Sequence, residues 1–470
     1  MRSISAAILI TLLATAACNN NAEDGRVTIA PEETFQVISG WEYTARIWEM
    51  DKKNNAYSGD WLNHRDDIIN GLVETAGLNR IRLEIRSGVE NPVDYCSQFF
   101  AGELSYLDYK AHFYEKINDN DDPDDANPAG FQWSCLDYYV ENLLTPMRQA
   151  LEARGEELYV VFTYVDFKRP ALASDLSHAD KPEEYAELID NAFIYLNEKH
   201  SLTPDAFEII LEPDNTADWR GKEIAAGLLS VDRRLAKSGF TPDYIAPSTS
   251  RTFRALPYFD DFARNKEALS KLSALAYHRY DPKRARRNLP KIRARAEHNN
   301  LETAMLELTY GTIDVLIEDL TLANVAAWQQ YGVPFKPISL DATGAESKQL
   351  ELTNNFAPLA LVFRNVRRGA VRIGAATSDP SLRAVAFRNA DGRNAIFVLQ
   401  KDKSEEGRRD ITIDGVPAGD YRLIFADPYD TTDLKSITID ADGNATITAP
   451  GAGLLALVEI AESPSNAGAP

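Results

Sequence analysis

Phe207-Glu208-Ile209-Ile210-Leu211-Glu212-Pro213-Asp214-Asn215 is a short apolar run that stops at a carboxylate followed at once by proline. Apolar, partly β-branched residues over about six positions predict a buried strand. Pro213 has no N–H for a ladder, so it ends the pairing, and it biases its predecessor toward extended backbone. Glu212 is therefore expected at the C-terminal tip of a strand, where catalytic groups sit in a (β/α)8 barrel. A second run, Thr303-Ala304-Met305-Leu306-Glu307-Leu308-Thr309-Tyr310-Gly311, also reaches a glutamate and breaks at a glycine. Two glutamates on separate parallel strands suit retaining glycoside hydrolysis: one protonates the leaving oxygen, the other attacks the anomeric carbon, at about 5–5.5 Å separation. The competing reading is of two solvated strand ends in a chain with 71 acidic residues.

Outward from Glu212, strands and helices alternate. Strands are expected at 36–41, 78–86, 158–167, the Glu212 run, 244–248, within 272–280, the Glu307 run and 325–329. Helices are expected at 62–76, 137–154, 182–199, 222–239 and 350–363. Eight strands alternating with helices favour a (β/α)8 TIM barrel. An open doubly wound sheet lacks support, because neither a dinucleotide glycine fingerprint nor a P-loop is present. In the second strand Ile81, Leu83 and Ile85 alternate with Arg80, Arg82, Glu84 and Arg86. A period of two puts the apolar set against outer helices and the charges inside the barrel, with Arg82 and Glu84 as a buried polar network beneath the site.

From about Gly369 the texture changes to short strands at 370–373, 384–388, 394–399, 410–413, 421–425, 436–439 and 454–459. The turn signals Asp391-Gly392, Asp414-Gly415 and Asp442-Gly443 fall between them. This predicts an antiparallel β-sandwich, to which residues 26–30 are a candidate extra strand. The domain plan is a signal with a lipobox cysteine (1–18), a tether and N-terminal strand (19–34), the barrel (35–366), the sandwich (367–462) and a tail (463–470).

A barrel with an acid/base Glu ending its fourth strand and a nucleophile Glu ending its seventh resembles glycoside hydrolase clan A. The appended sandwich, with Arg368-Gly369-Ala370-Val371-Arg372-Ile373 and Ala384-Val385-Ala386-Phe387 before Asp391-Gly392, is most similar to family 30. The resemblance implies Glu212 as acid/base, Glu307 as nucleophile and a carbohydrate substrate. It implies sugar-site roles for Arg82 on the second strand, Tyr164 on the third, His278 and Tyr280 at the sixth, and Trp328 as an aromatic floor on the eighth. Trp219 and Trp41 are further aromatics, and core packing is the favoured reading for Trp41. Leu211 stands where the clan usually has an asparagine on the sugar 2-hydroxyl, so Asn215 or another residue substitutes, or the enzyme is a distant branch, or Glu212 is not the acid, or the barrel is a non-catalytic carbohydrate-binding one. A lyase or other carbohydrate-active barrel is a further alternative.

Composition narrows the partners. A formal net charge of −21 argues against nucleic acid. The six histidines are scattered with no HExxH or zinc spacing, so no metal or other cofactor is implied, and no GxSxG elbow supports an esterase. At the N-terminus Arg2, a short apolar stretch and Ala14-Thr15-Ala16-Ala17-Cys18 read as an export signal. Cys18 resembles a bacterial lipobox cysteine, which implies a lipid anchor at the outer membrane, on its periplasmic or cell-surface side. Thr15 departs from the usual leucine and leaves plain secretion open. Cys96 and Cys135 then remain as a pair, either a disulfide or two free thiols. Between them lies Asn118-Asp119-Asn120-Asp121-Asp122-Pro123-Asp124-Asp125, dense in calcium-type oxygens. It lacks the EF-hand glycine and terminal glutamate, so a solvated turn or a cleft wall is expected.

Overall fold

The computed structural model describes residues 25–46, 59–167, 176–309, 311–331, 355–401 and 408–460. Cys18, the export signal and the C-terminal tail lie outside the described residues. The first strand, β1 (Gly25–Val37), leaves the barrel aside and pairs with two strands of the second domain. The candidate strand at 26–30 is thus longer than expected, and the barrel opens at Gly40 instead of residue 36. Its eight parallel strands close in chain order: β2 (Gly40–Thr44), β3 (Arg80–Arg86), β4 (Tyr159–Val165), β5 (Ala206–Glu208), β6 (Asp243–Thr249), β7 (Leu272–His278), β8 (Glu302–Glu307) and β9 (Val325–Gln329).

The period of two sorts the strand residues. Tyr159, Val161, Ala206, Ile245, Ala274, Ala276, Ala304, Leu306 and Ala327 form one apolar cluster inside the barrel. The many alanines leave room there for Arg80, Arg82 and Glu208, all buried. Ile81, Leu83, Ile85, Phe162 and Phe207 face out and join the large core shared with the helices. The helices Pro182–His200 and Gly221–Ser238 cover this wall, and the second stops at Gly239 in left-handed backbone, φ 89°. The last helix is Phe356–Asn365.

The second domain holds β10 (Val371–Thr377), β11 (Leu382–Arg388), β12 (Asn394–Gln400), β13 (Arg409–Asp414), β14 (Gly419–Ala426), β15 (Thr431–Ile439), β16 (Ala445–Ala449) and β17 (Gly453–Glu459). With β1 they form a sheet in the order β15-β14-β17-β12-β11-β10-β1-β13-β16, mostly antiparallel, with β1–β13 parallel. β16 has no counterpart among the expected strands, since Ala445–Ala449 is short and half polar. β12 is buried on both faces. Ile396 and Val398 enter the sandwich core, whereas Ala395, Phe397 and Leu399 join the barrel core beside Phe363. The sandwich is therefore packed on the barrel through a continuous apolar layer.

Between β3 and β4 the chain makes a long insertion in which Cys96 and Cys135 are joined as a disulfide. Bonds from Asn91 Nδ2 to Glu115 O, from Gln132 Nε2 to Asn91 O and from Gln132 N–H to Val89 O tie its segments to one another.

Candidate active site

Glu212 is delivered by backbone that stops being a regular strand before it gets there. The β5 ladder ends at Glu208. Beyond it, Leu211 N–H donates to Tyr164 O at 2.9 Å and Glu212 N–H to Ser248 O at 3.0 Å, so the chain stays pinned between its neighbours. Glu212 itself has φ 46° and ψ 60°, the left-handed region, and not the extended backbone expected before Pro213. A non-glycine residue there costs about 1–3 kcal/mol, a strain that recurs at functional sites. Glu307 is re-aimed by a different device. Met305 pairs with Tyr277 and Glu307 with His278, so Leu306 is an extra residue, a bulge that turns both Leu306 and Glu307 into the barrel.

The two carboxylates meet around a shared set of donors. Arg82 Nη2 donates to Glu307 Oε2 at 2.7 Å and to Glu84 Oε1 at 3.0 Å, and its Nη1 to Leu306 O at 3.2 Å. Tyr280 OH donates to Glu307 Oε1 at 2.8 Å. His278 Nδ1 lies 2.9 Å from Glu212 Oε1, and Asn215 Nδ2 donates to Glu212 Oε2 at 2.6 Å. One oxygen of Glu212, one of Glu307 and a ring nitrogen of His278 all lie within 4.8 Å of one another.

These surroundings push the glutamates apart. Burial, joined by the charge of Glu307, raises Glu212 above its ordinary value, and His278 and Asn215 offset only part of this. Burial also pushes Glu307 up, but Arg82 and His278, with hydrogen bonds from Arg82 and Tyr280, outweigh it and hold the carboxyl below the ordinary glutamate range. His278 is drawn down by burial and up more strongly by Glu212, Glu307 and Glu208. Beneath the mouth, Arg46, Arg82 and Arg86 overcome burial and hold Glu84 down at about 2.

No curated protein matches the chain. Residues 369–450 match the family model described as the glycosyl hydrolase family 30 beta sandwich domain. Over these residues the sandwich is similar to the family 30 domain. The whole fold agrees with it. The catalytic domain of the GH30 xylanase C of Talaromyces cellulolyticus superposes with a TM-score of 0.64 at 15% identity, over 93% of this chain and 100% of that one. A GH30 endoxylanase of Clostridium papyrosolvens gives 0.61 at 14% identity, over 93% and 100%. An endo-beta1,6-glucanase gives 0.60 at 14% identity, over 94% and 96%. Glycoside hydrolase is the enzyme class of the family 30 domain and of these fold relatives.

Measured against the family resemblance, Arg82, Asn215, His278 and Tyr280 come together with the two glutamates as expected, and Tyr164 and Trp328 do not. Tyr164 lies on the outer face of β4, fully buried, its hydroxyl 2.5 Å from His178 Nδ1 and its ring against Tyr185 and Trp219. Trp328 also points outward. It is 0% exposed, donates to Asp319 Oδ2 at 3.0 Å and packs on Phe363, so it offers no face to a sugar. Strand parity decides both, because Val161 and Ala327 take the inward positions. Trp219 is buried with Tyr185, and Trp41 stacks on Phe363 in the core. Leu211 is 3% exposed in the core and makes no polar contact with a sugar.

Two residues at the mouth escaped the sequence reading. Tyr331, just past β9, has its ring centroid 5.7 Å from the Arg82 guanidinium. Glu208, two residues inward of Ala206 by parity, accepts from Thr163 Oγ1 at 2.6 Å and lies fully buried below His278 and Arg82, whose charges act on it. The signal for both was the period of two, from Ala206 to Glu208 within β5 and from Ala327 through Gln329 to Tyr331 past the end of β9.

Proposed function

We propose that the chain is a retaining β-glycosidase that cleaves a poly- or oligosaccharide by double displacement. The observation that carries this reading is the convergence of two oppositely tuned carboxylates, an oxygen of each within 4.8 Å. A close approach suits double displacement, in which the second carboxylate reaches the anomeric carbon itself and no water has to sit between the pair. Glu307, kept ionised by Arg82 and Tyr280, attacks the anomeric carbon as Glu212 gives its proton to the departing oxygen. The Glu307 charge that raises Glu212 vanishes in the resulting ester. Glu212 then becomes a stronger acid in its protonated form and, ionised, takes a proton from the water that cleaves the ester. Microscopic reversibility returns both groups to their starting states.

The test is turnover on aryl β-glycosides and a polysaccharide panel that includes xylan and β-1,6-glucan, with Glu307→Ala beside wild type. Loss of activity in Glu307→Ala, rescued by azide as a glycosyl azide of inverted configuration, is the expected result. Undiminished turnover in Glu307→Ala would assign the nucleophile elsewhere. Leu211, which cannot donate to a sugar 2-hydroxyl, favours a second reading as a carbohydrate-binding protein without turnover. Glycan affinity with no hydrolysis by wild type would establish it.

We also propose that the protein is exported and anchored to the bacterial outer membrane through lipid on Cys18. The motif at 14–18 motivates this, and a Cys96–Cys135 disulfide suits an oxidising compartment. Mass spectrometry of the mature N-terminal peptide should find acyl chains on Cys18, and Cys18→Ala should release the protein from membranes. An unmodified N-terminus elsewhere in the chain would refute it.

A further inference from the structure

A second group of carboxylates is drawn together by segments far apart in sequence, away from the Glu212–Glu307 pair. Glu184 and Glu187 lie one turn apart on the helix Pro182–His200. Asp119 comes from the acidic run in the insertion after β3. One oxygen from each of the three lies within 4.8 Å of the other two. Glu184 is 6% exposed and Glu187 1%. Glu184 Oε2, Glu187 Oε1 and Asp119 Oδ1 are all buried with no hydrogen-bond donor among the described residues.

The arrangement is built, because the other oxygen of Asp119 is already used. Its Oδ2 accepts from Asn127 N–H at 2.6 Å and from Asn120 Nδ2 at 2.8 Å, which leaves Oδ1 for the helix side. Gly130 makes the close approach possible, since a Cβ there would sit 2.2 Å from Asp119 Cβ. Asn118, within hydrogen-bonding reach of Glu184, brings a further buried amide oxygen that has no donor among the described residues. Arg234, the cation nearest in charge to Glu187, is instead paired with Asp124 at 2.9 Å. Burial, with Asp119 and Glu184 adding to it, pushes Glu187 up to about 8. Lys181 and Arg234 offset only part of this for Glu184 and Glu187, and buried carboxylates crowded in this way are costly and are normally paired or bound to a metal.

We propose that Asp119, Glu184 and Glu187 form a calcium site that ties the β3–β4 insertion to the helix beside the barrel mouth. All the donors are oxygens, which select a hard cation over zinc or copper. Ca²⁺ takes oxygens at about 2.3–2.6 Å in flexible geometry, so opposite ligands can stand roughly 5 Å apart, whereas Mg²⁺ demands a tighter octahedron. The acidic run is then no mere solvated turn: its first aspartate is a ligand and its exposed members stay in solvent.

The test uses the full chain, stripped with chelator and titrated with CaCl2 by calorimetry, alongside thermal melts in Ca²⁺ and in EGTA. One binding site and a higher melting temperature in Ca²⁺ are expected for wild type. Glu187→Gln and Asp119→Asn should each lower the affinity by at least the roughly tenfold seen when even an outer-shell partner of a metal is lost. Asp121→Asn, on the exposed part of the same run, should bind as wild type and so separates the site from general attraction to an acidic surface. A melting temperature of Glu187→Gln in EGTA equal to or above that of wild type shows that it folds. Absence of calcium heat in wild type, wild-type affinity in Glu187→Gln, or equal affinity for Mg²⁺ would each overturn the assignment.

Discussion

Tyr280→Phe isolates the one hydrogen bond that tunes the nucleophile from outside the ionic cluster. Tyr280 OH donates to Glu307 Oε1 at 2.8 Å and also meets Thr309 Oγ1 at 2.9 Å. A hydrogen bond to a charged group contributes about 1.5–3 kcal/mol. Tyr280 is 36% exposed, so water replaces part of the lost bond and the lower end applies. At about 1.4 kcal/mol per pKa unit, the Glu307 carboxyl should rise by about one unit. Glu307 works as the carboxylate and lies below its ordinary value of 4.5. The acidic limb of kcat/KM against pH should therefore move up by about one pH unit in the variant. The alkaline limb follows loss of the proton that Glu212 donates, which burial raises above 4.5, and it should stay in place. The assay is the full pH profile on an aryl glycoside. An unmoved acidic limb would refute the role given to Tyr280, and a moved alkaline limb would mean that it acts on Glu212.

Arg82→Met leaves Glu84 and Glu307 without their shared cation; breaking such a buried pair costs about 3–5 kcal/mol, and urea unfolding near neutral pH should show it, less so at acid pH where the carboxyls are protonated. Glu212→Ala should keep turnover of aryl glycosides whose leaving groups need no proton while losing polysaccharide hydrolysis, and equal loss on both would deny Glu212 the acid role. Replacing Cys96 and Cys135 by serine opens a loop of sequence separation 39 and should cost about 4 kcal/mol on the chain-entropy account, read as a lower unfolding midpoint. Trp328→Ala should lower stability by about 3–5 kcal/mol with KM unchanged in the folded enzyme, whereas Tyr331→Ala should raise KM; the reverse pattern would restore Trp328 as a sugar contact.

Much of the fold was legible because barrel strands carry their own local record. The alternation from Arg80 to Arg86 assigned Arg82 and Glu84 to the interior, and the structure has them bonded there. The run that ends at Glu307 marked a strand tip, whereas the run to Glu212-Pro213 overran its strand, which stops at Glu208. β1 was under-read, because Gln36 and Val37 continue a strand whose partners, β10 and β13, lie more than three hundred residues away.

The chain by itself determined where the charges fall along each strand and which strand ends carry glutamate, since both depend on periods of two residues and on proline or glycine nearby. Tertiary structure decided where those side chains point. The bulge at Leu306 that turns Glu307 inward exists only against β7, and the left-handed Glu212 is held by Ser248 and Tyr164 on neighbouring strands. Trp328 and Tyr164 are apolar enough for either face, and the inward places already held by Ala327 and Val161 sent them outward. Asp119 meets Glu184 and Glu187 only when the insertion folds onto the helix. Each of these contacts joins residues with no local signal for one another, so burial and pairing across the closed barrel had to choose.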